Sequence, residues 1–140
     1  MRYNTSLETL AASTSNVRLP AAVPQSELPA LHDHYDVGLA VFPTTTPQLE
    51  HTLPNKFFDY LQAGLAIVGG PGKELRTLTE QHRLGPVLES FDASSLRALL
   101  SQLTPSRVDE WKENACKAAE TLTAEEQGER LLATAHRVLK

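Results

Sequence analysis

Apolar positions in this chain follow two rhythms. Short, β-rich runs alternate with longer stretches in which apolar residues recur every three or four positions. Of the short runs, 16–22 carries Val17, Leu19 and Ala21 in alternation, and 36–42 reads DVGLAVF without interruption. Residues 65–68 and 86–88 complete a set of four expected strands. The run over 36–42 is apolar throughout, as in a strand covered on both faces. Helical spacing is expected at 6–12, 27–35, 54–63, 74–82, from Asp92 to 103, at 106–122 and at 124–139. Ser26 and Asp92 stand where N-caps belong. Pro29 falls in a first helical turn, Thr52 and Pro54 flank another start, and Gly64 is placed to end that helix. Residues 43–53, with three consecutive threonines and two prolines, read as a loop, and 69–72 as a tight glycine-rich turn.

Strand and helix alternate along the chain. The pattern predicts an α/β fold, a parallel sheet flanked by helices on both faces in a single domain. Sheets of this kind bind ligands outside the carboxyl ends of their strands. Two loops leave such ends, 43–53 and 69–73, and both are rich in polar or glycine residues.

A length of 140 residues suits one domain, and an apolar fraction of 41% suits one core. The net charge of −4 and the pI near 5.7 argue against nucleic acid as a partner, which calls for a basic surface. No apolar stretch is long enough to cross a membrane, and residues 1–10 lack the apolar core of a signal peptide, so a cytoplasmic location is expected. The single cysteine, Cys116, can form no internal disulfide, and its alanine-rich helical setting suggests a small buried residue. His32 and His34, two apart on a helix, point to different faces and make a poor metal pair. No metal site or catalytic triad has a diagnostic spacing.

The densest chemistry lies in residues 53–68, LPNKFFDYLQAGLAIV. On a helix, Phe57, Phe58 and Leu61 form an apolar stripe, while Asn55 and Asp59 share another face with Lys56 beside them. Such a helix opens on free backbone N–H groups and the positive end of its dipole, which suit an anion. A carboxylate one turn further in can accept both hydroxyls of a ribose. An ordinary amphipathic helix with solvated Lys56 and Asp59 has the same pattern. What distinguishes this one is the whole string, followed by a glycine-rich loop at Gly69, Gly70 and Gly72. That loop is neither a P-loop nor a dinucleotide fingerprint.

At these residues the chain resembles the group 1, or family 4, glycosyltransferases. Many of them carry a string similar to Pro-Asn-Lys-aromatic-x-Glu/Asp-Tyr-Leu-x-x-Gly-x-Pro-Val. The match runs from Pro54 to Leu61 and on to Ala63 and Gly64, and departs at Ala66, where proline is usual. Asp59 stands where glutamate is common. Glu27-Leu28-Pro29 and Tyr35-Asp36-Val37-Gly38-Leu39 resemble further family segments, so the likeness spans about 16–103. It implies a Rossmann-like, nucleotide-sugar-binding C-terminal domain, half of a GT-B fold. The donor would be a nucleotide-diphosphate sugar and the acceptor a hydroxyl, with retention at the anomeric carbon and no metal or other cofactor.

The resemblance places Asp59 on the ribose hydroxyls and Asn55, Lys56, Gly70, Gly72 and Lys73 at the donor. Glu50 takes the catalytic position against the donor sugar, although it stands nine residues before Asp59 and His51 holds the family's eighth place. No Arg and Lys pair of the family's phosphate site precedes Asn16. The chain is therefore expected to lack an N-terminal acceptor domain and a first strand, to be inactive alone, and to expose a sheet edge that invites dimerisation. The apolar stripe of Leu131, Leu132, Ala135 and Val138 on the last helix would face the missing domain or, without it, pack on the chain's own sheet or on a second copy, and Trp111 would serve the core or that interdomain contact. Peripheral membrane association of the full enzyme is compatible with the likeness. Two other classes fit the same string: a non-catalytic Rossmann-like binding module, and a fragment of another GT-B enzyme such as a sugar-nucleotide epimerase.

Overall fold

The structure is a computed structural model that describes residues 2–138. It is a mixed α/β arrangement around a small parallel sheet. In chain order the helices are α1 (Arg2–Ser13), α2 (Leu28–His32, entered through a 3-10 turn, Gln25–Glu27), α3 (Pro47–Glu50), α4 (Asn55–Gln62), α5 (Lys73–Gln81), α6 (Ala93–Leu100), α7 (Pro105–Ala119) and α8 (Ala124–Val138). The strands are β1 (Val37–Ala40), between α2 and α3, and β2 (Ala66–Gly69), between α4 and α5. Leu139, the expected end of the last helix, and the side chains of Leu131 and Val138 in its stripe lie outside the described residues.

β1 and β2 pair in parallel, Val37 opposite Ala66 through Ala40 opposite Gly69. Four strands were expected, and the described residues form two plus a single parallel bridge, Gly69 to Val87. The bridge belongs to a segment that follows β2 closely. Ile67 N donates to Leu84 O (2.8 Å), Gly69 N to Pro86 O (3.0 Å) and Leu88 N to Gly69 O (2.9 Å). Pro86 has no N–H to give, so this third track cannot complete a ladder. The expected strand at 16–22 is absent: Val17 and Leu19 are 40% and 49% exposed, and no neighbouring strand supplies partners for their backbone. A strand exists only as one side of a pair, so alternation without a partner stays irregular.

Burial follows position in the sheet. β2, with a neighbour on each side, is buried at all four residues. β1 is not covered on both faces as its apolar run suggested, for Leu39 is 37% exposed while Gly38 and Ala40 are buried. Tyr60 of α4 lies over Gly38, so close that a Cβ there would stand 2.4 Å from the ring. Thr79 of α5 approaches Gly69 on the same face. The core joins Phe57 and Leu61 of α4, Ile67, Leu75 and Leu84 with Ala115 and Ala118 of α7. Trp111 belongs to this buried set, with the Arg107 guanidinium 5.1 Å above its ring. Cys116 is exposed, contrary to its alanine-rich setting. The buried face of α7 runs through Trp111, Ala115 and Ala118, and one residue on from Ala115 turns about 100° away from it.

Helix boundaries track local chemistry where a cap is present. Thr46 accepts Leu49 N at 3.2 Å and Pro47 follows at the first position, so the presumed loop 43–53 contains a helical turn. Thr52 does not cap α4; its hydroxyl donates to Gln48 O. Nor does Ser26 cap a helix over 27–35, since it sits inside the 3-10 turn and α2 ends at His32. Gly64, at φ +65, ends α4 in the left-handed region as expected. Asp92 caps α6, taking Ser95 N at 2.8 Å and the Ser90, Ser94 and Ser95 hydroxyls. α6 stops at Leu100, short of 103.

These bonds, Ser90 foremost, hold the Asp92 carboxyl well below the usual carboxylate range. A depressed folded-state pKa stabilises above the unfolded value, about 4, and that contribution disappears as pH falls through and below it. Amide protection across α6 should therefore drop on acidification in the parent. Asp92→Asn, which caps without titrating, should flatten the dependence. An unchanged profile in that variant would remove Asp92 as its cause.

Candidate functional site

β1 rises into residues 41–46, and α4 returns beside it. Its amino end therefore stands at the carboxyl end of β1, where Lys56 Nζ donates to Val41 O at 3.3 Å. Partial burial pulls the pKa of that ammonium down from its ordinary value. Asn55, at the first helical position, is exposed. The stripe beneath behaves as its spacing predicts: Phe57 and Leu61 are fully buried, and Phe58 meets Phe57 edge to face at 5.3 Å.

The turn after β2 reaches the same rim. Gly70 N donates to Ala40 O at 3.0 Å, so this amide serves the sheet end. A side chain at Gly70 would press on Ala40 O, Val41 and Phe42, which explains the glycine. Gly72 caps α5, and Lys73 begins that helix, exposed. A Cβ at Gly72 would lie 3.3 Å from Glu50 O, so α3 rests against this turn. Glu50 itself is exposed. Next to it, His51 Nδ1 and Glu74 Oε1 are 3.1 Å apart, tying the end of α3 to α5. The first N–H groups of α4 and α5 lack intrahelical partners and open toward this rim.

Lys56, Gly70, Gly72, Lys73 and the backbone of Glu50 thus gather around the strand ends. Asp59 stands elsewhere. It is half-buried and lines a hollow of about 220 Å³ with Pro29, His32 and Asp33 of the α2 region and with Gln62 and Ala63. Burial, and after it the Asp59 charge, raises the pKa of neighbouring Tyr60. His32 packs against Tyr60 edge to face at 5.3 Å and His34 is exposed. Among the described residues no group of three or more His, Cys, Asp or Glu side chains is arranged to hold a metal ion.

A second hollow, about 230 Å³, opens between Val41 and Leu88 against Phe91 and Leu96 of the α6 region. Its lining is almost wholly apolar. Sequence reasoning passed over three features here. The Thr46-Pro47 pair is a cap followed by proline at the first position, a legible helix start. The His51–Glu74 contact and the α2 wall facing Asp59 join residues distant in sequence, and no local signal marks them.

No protein-family model matches this chain, and neither a curated protein nor a solved structure matches it. Among the described residues no helix is long and apolar enough to cross a membrane.

Proposed function

We propose that this chain is a Rossmann-like donor-binding domain of a retaining, GT-B-type glycosyltransferase. One observation carries the reading: the first turn of α4, bearing Asn55 and Lys56, stands at the carboxyl end of β1 beside the Gly70 turn. A diphosphate at this rim meets the unpaired N–H groups of α4 and α5 and the Lys56 ammonium. From Asn55 to Asp59 the helix rises about 6 Å, close to the span from a nucleotide's phosphates to its ribose. Asp59 then accepts the ribose hydroxyls inside the α2–α4 hollow. Lys56 and the Gly72 and Lys73 amides stabilise the departing diphosphate as its charge develops. Glu50, close by on α3, addresses the donor sugar.

Calorimetry with uridine diphosphate and guanosine diphosphate tests the assignment. Saturable but weak binding of one of them is expected, since among the described residues Lys56 is the one cation at the rim that also touches a strand end. Asp59→Ala should abolish it. Equal affinity in parent and variant would take Asp59 out of the site, and submicromolar affinity would contradict the expectation of weak binding.

A second reading, a non-catalytic Rossmann-like binding module, is favoured by the place of Asp59. Its hollow is shared with Asp33 and His32, and none of the glycine-turn residues lines it. This reading expects neither nucleotide to bind.

A further inference from the structure

Along α5, Glu74, Thr77, Leu78 and Gln81 fall at spacings of three and four and so share one face. That face does not pack on the sheet. It forms one wall of a cleft of about 400 Å³ whose other walls are Phe58 of α4 and Leu122, just past α7. Phe58, Leu78 and Leu122 are partly buried and lie against the core, so the floor is apolar and fixed in place. The volume falls in the range of small-molecule sites, roughly 300–1,000 Å³.

The polar members select the chemistry. Gln81 offers an amide with donors and an acceptor, Thr77 and Thr121 offer hydroxyls, and His82 closes the end of α5 with an imidazole. Thr77 Oγ1 already donates to Lys73 O at 2.8 Å, which leaves its lone pairs to accept. Glu74 holds His51 through one oxygen of its carboxylate. Among the described lining residues there is no lysine or arginine, and Glu74 supplies a negative charge, so a phosphate is repelled. A wholly apolar ligand would strip water from four or more polar groups without replacing their bonds. What fits is a neutral molecule with an apolar face for Phe58 and a rim of groups that both donate and accept.

We propose that this cleft between α4 and α5 is a binding site for a neutral saccharide, separate from the strand-end rim. One C–H-rich face of a sugar ring lies on Phe58 and Leu78, and its hydroxyls bond to Gln81, Thr77 and His82. The assignment stands independently of the nucleotide reading, because it uses none of Asn55, Lys56 or Asp59.

Amide-resolved NMR titration with methyl glucoside, methyl galactoside, methyl mannoside and maltotriose tests it, with inorganic phosphate as the anionic arm. Saturable shifts confined to the residues around the cleft, Phe58, the stretch from Glu74 to His82, Thr121 and Leu122 with their chain neighbours, are expected with at least one sugar and not with phosphate. Gln81 is exposed, so Gln81→Ala should keep the parent spectrum yet bind about tenfold more weakly, the loss of one or two hydrogen bonds. Its affinity for uridine diphosphate should be unchanged, which separates failure of this site from failure of the donor site. Absence of saturable shifts with all four sugars, shifts lying elsewhere, saturation by phosphate in the cleft, or an unaltered sugar affinity in Gln81→Ala would each overturn the proposal.

Discussion

Phe57→Ala is expected to lower folding stability by about 3–5 kcal/mol, the usual cost of removing a fully buried aromatic side chain. The ring has no exposed surface, and it sits where α4 meets Ile67 of β2 and Ala115 and Ala118 of α7. Those neighbours are rigid strand and small helix residues, so little can move in to fill the cavity. A domain of this size is stable by about 5–15 kcal/mol, and a loss of that order leaves it close to unfolding. Urea denaturation measures the effect as a lower midpoint with an unchanged slope. Phe58→Ala makes the contrast, because its ring is only partly buried and packs on the outside of the core. A smaller loss is expected there. Equal losses at the two positions would show that burial does not set the energetics of this helix.

The same contrast shows how much of the fold the sequence makes legible. Residues 54–68 are read almost as they fold, because each signal in them is local. Phe57 and Leu61 keep helical spacing, Gly64 supplies the left-handed exit, and the apolar run that follows is central in the sheet and buried throughout. The cap at Asp92 is equally local, a side chain bonding to an amide three residues on. Where the sequence misleads, the deciding partner is remote. Alternation at Val17 and Leu19 has the form of a strand, yet strand formation needs another strand's N–H and C=O groups, and none comes. The run at 36–42 has the composition of a central strand, but among the described residues β1 lies at the edge of the sheet, and Leu39 on one of its faces is left exposed. Cys116 follows the same logic: an alanine-rich helix has a buried face, and composition does not say which residues turn toward it.

The site divides along the same line. Lys56 reaches the end of β1 because a helix that follows a strand in a parallel pair must return antiparallel to it, and this brings its first turn to the strand's carboxyl end. Gly70 belongs there because the next strand ends at the same level, Ala40 opposite Gly69. Both placements follow from connectivity. The surroundings of Asp59 do not, since they depend on where the α2 wall settles against α4. Pattern gives Asp59 a helix face, and packing decides that His32 and Asp33 share the hollow with it. The cleft at Phe58 and Gln81 is less legible still, being the space left between two helices and the turn beyond a third.

Gly85→Ala is expected to destabilise by about 2–4 kcal/mol through the backbone alone. The residue has φ +154, a conformation that suits glycine, and an added Cβ would stand 2.2 Å from Ile67 O. No side chain can yield to relieve that contact, since the obstructing atom is a carbonyl of the central strand. The segment from Leu84 to Leu88 must then draw back from β2, straining the three backbone hydrogen bonds that hold it. The anchor from Arg76 Nη2 to Leu88 O, 3.0 Å, would be displaced with it. Strain of this kind is worth roughly 1–3 kcal/mol, and each lost hydrogen bond adds about 0.5–1.5 kcal/mol. The same chemical change at Gly128 is the control. That glycine lies in α8 with nothing within 4 Å of an added Cβ, and alanine there should stabilise the helix by about 0.5–1 kcal/mol. Hydrogen exchange locates the damage: the amides of Ile67, Gly69 and Leu88 should lose protection in Gly85→Ala, while those within α7 follow global stability. Loss of stability without selective exposure of those three amides would mean that the third track is not held by the contacts described.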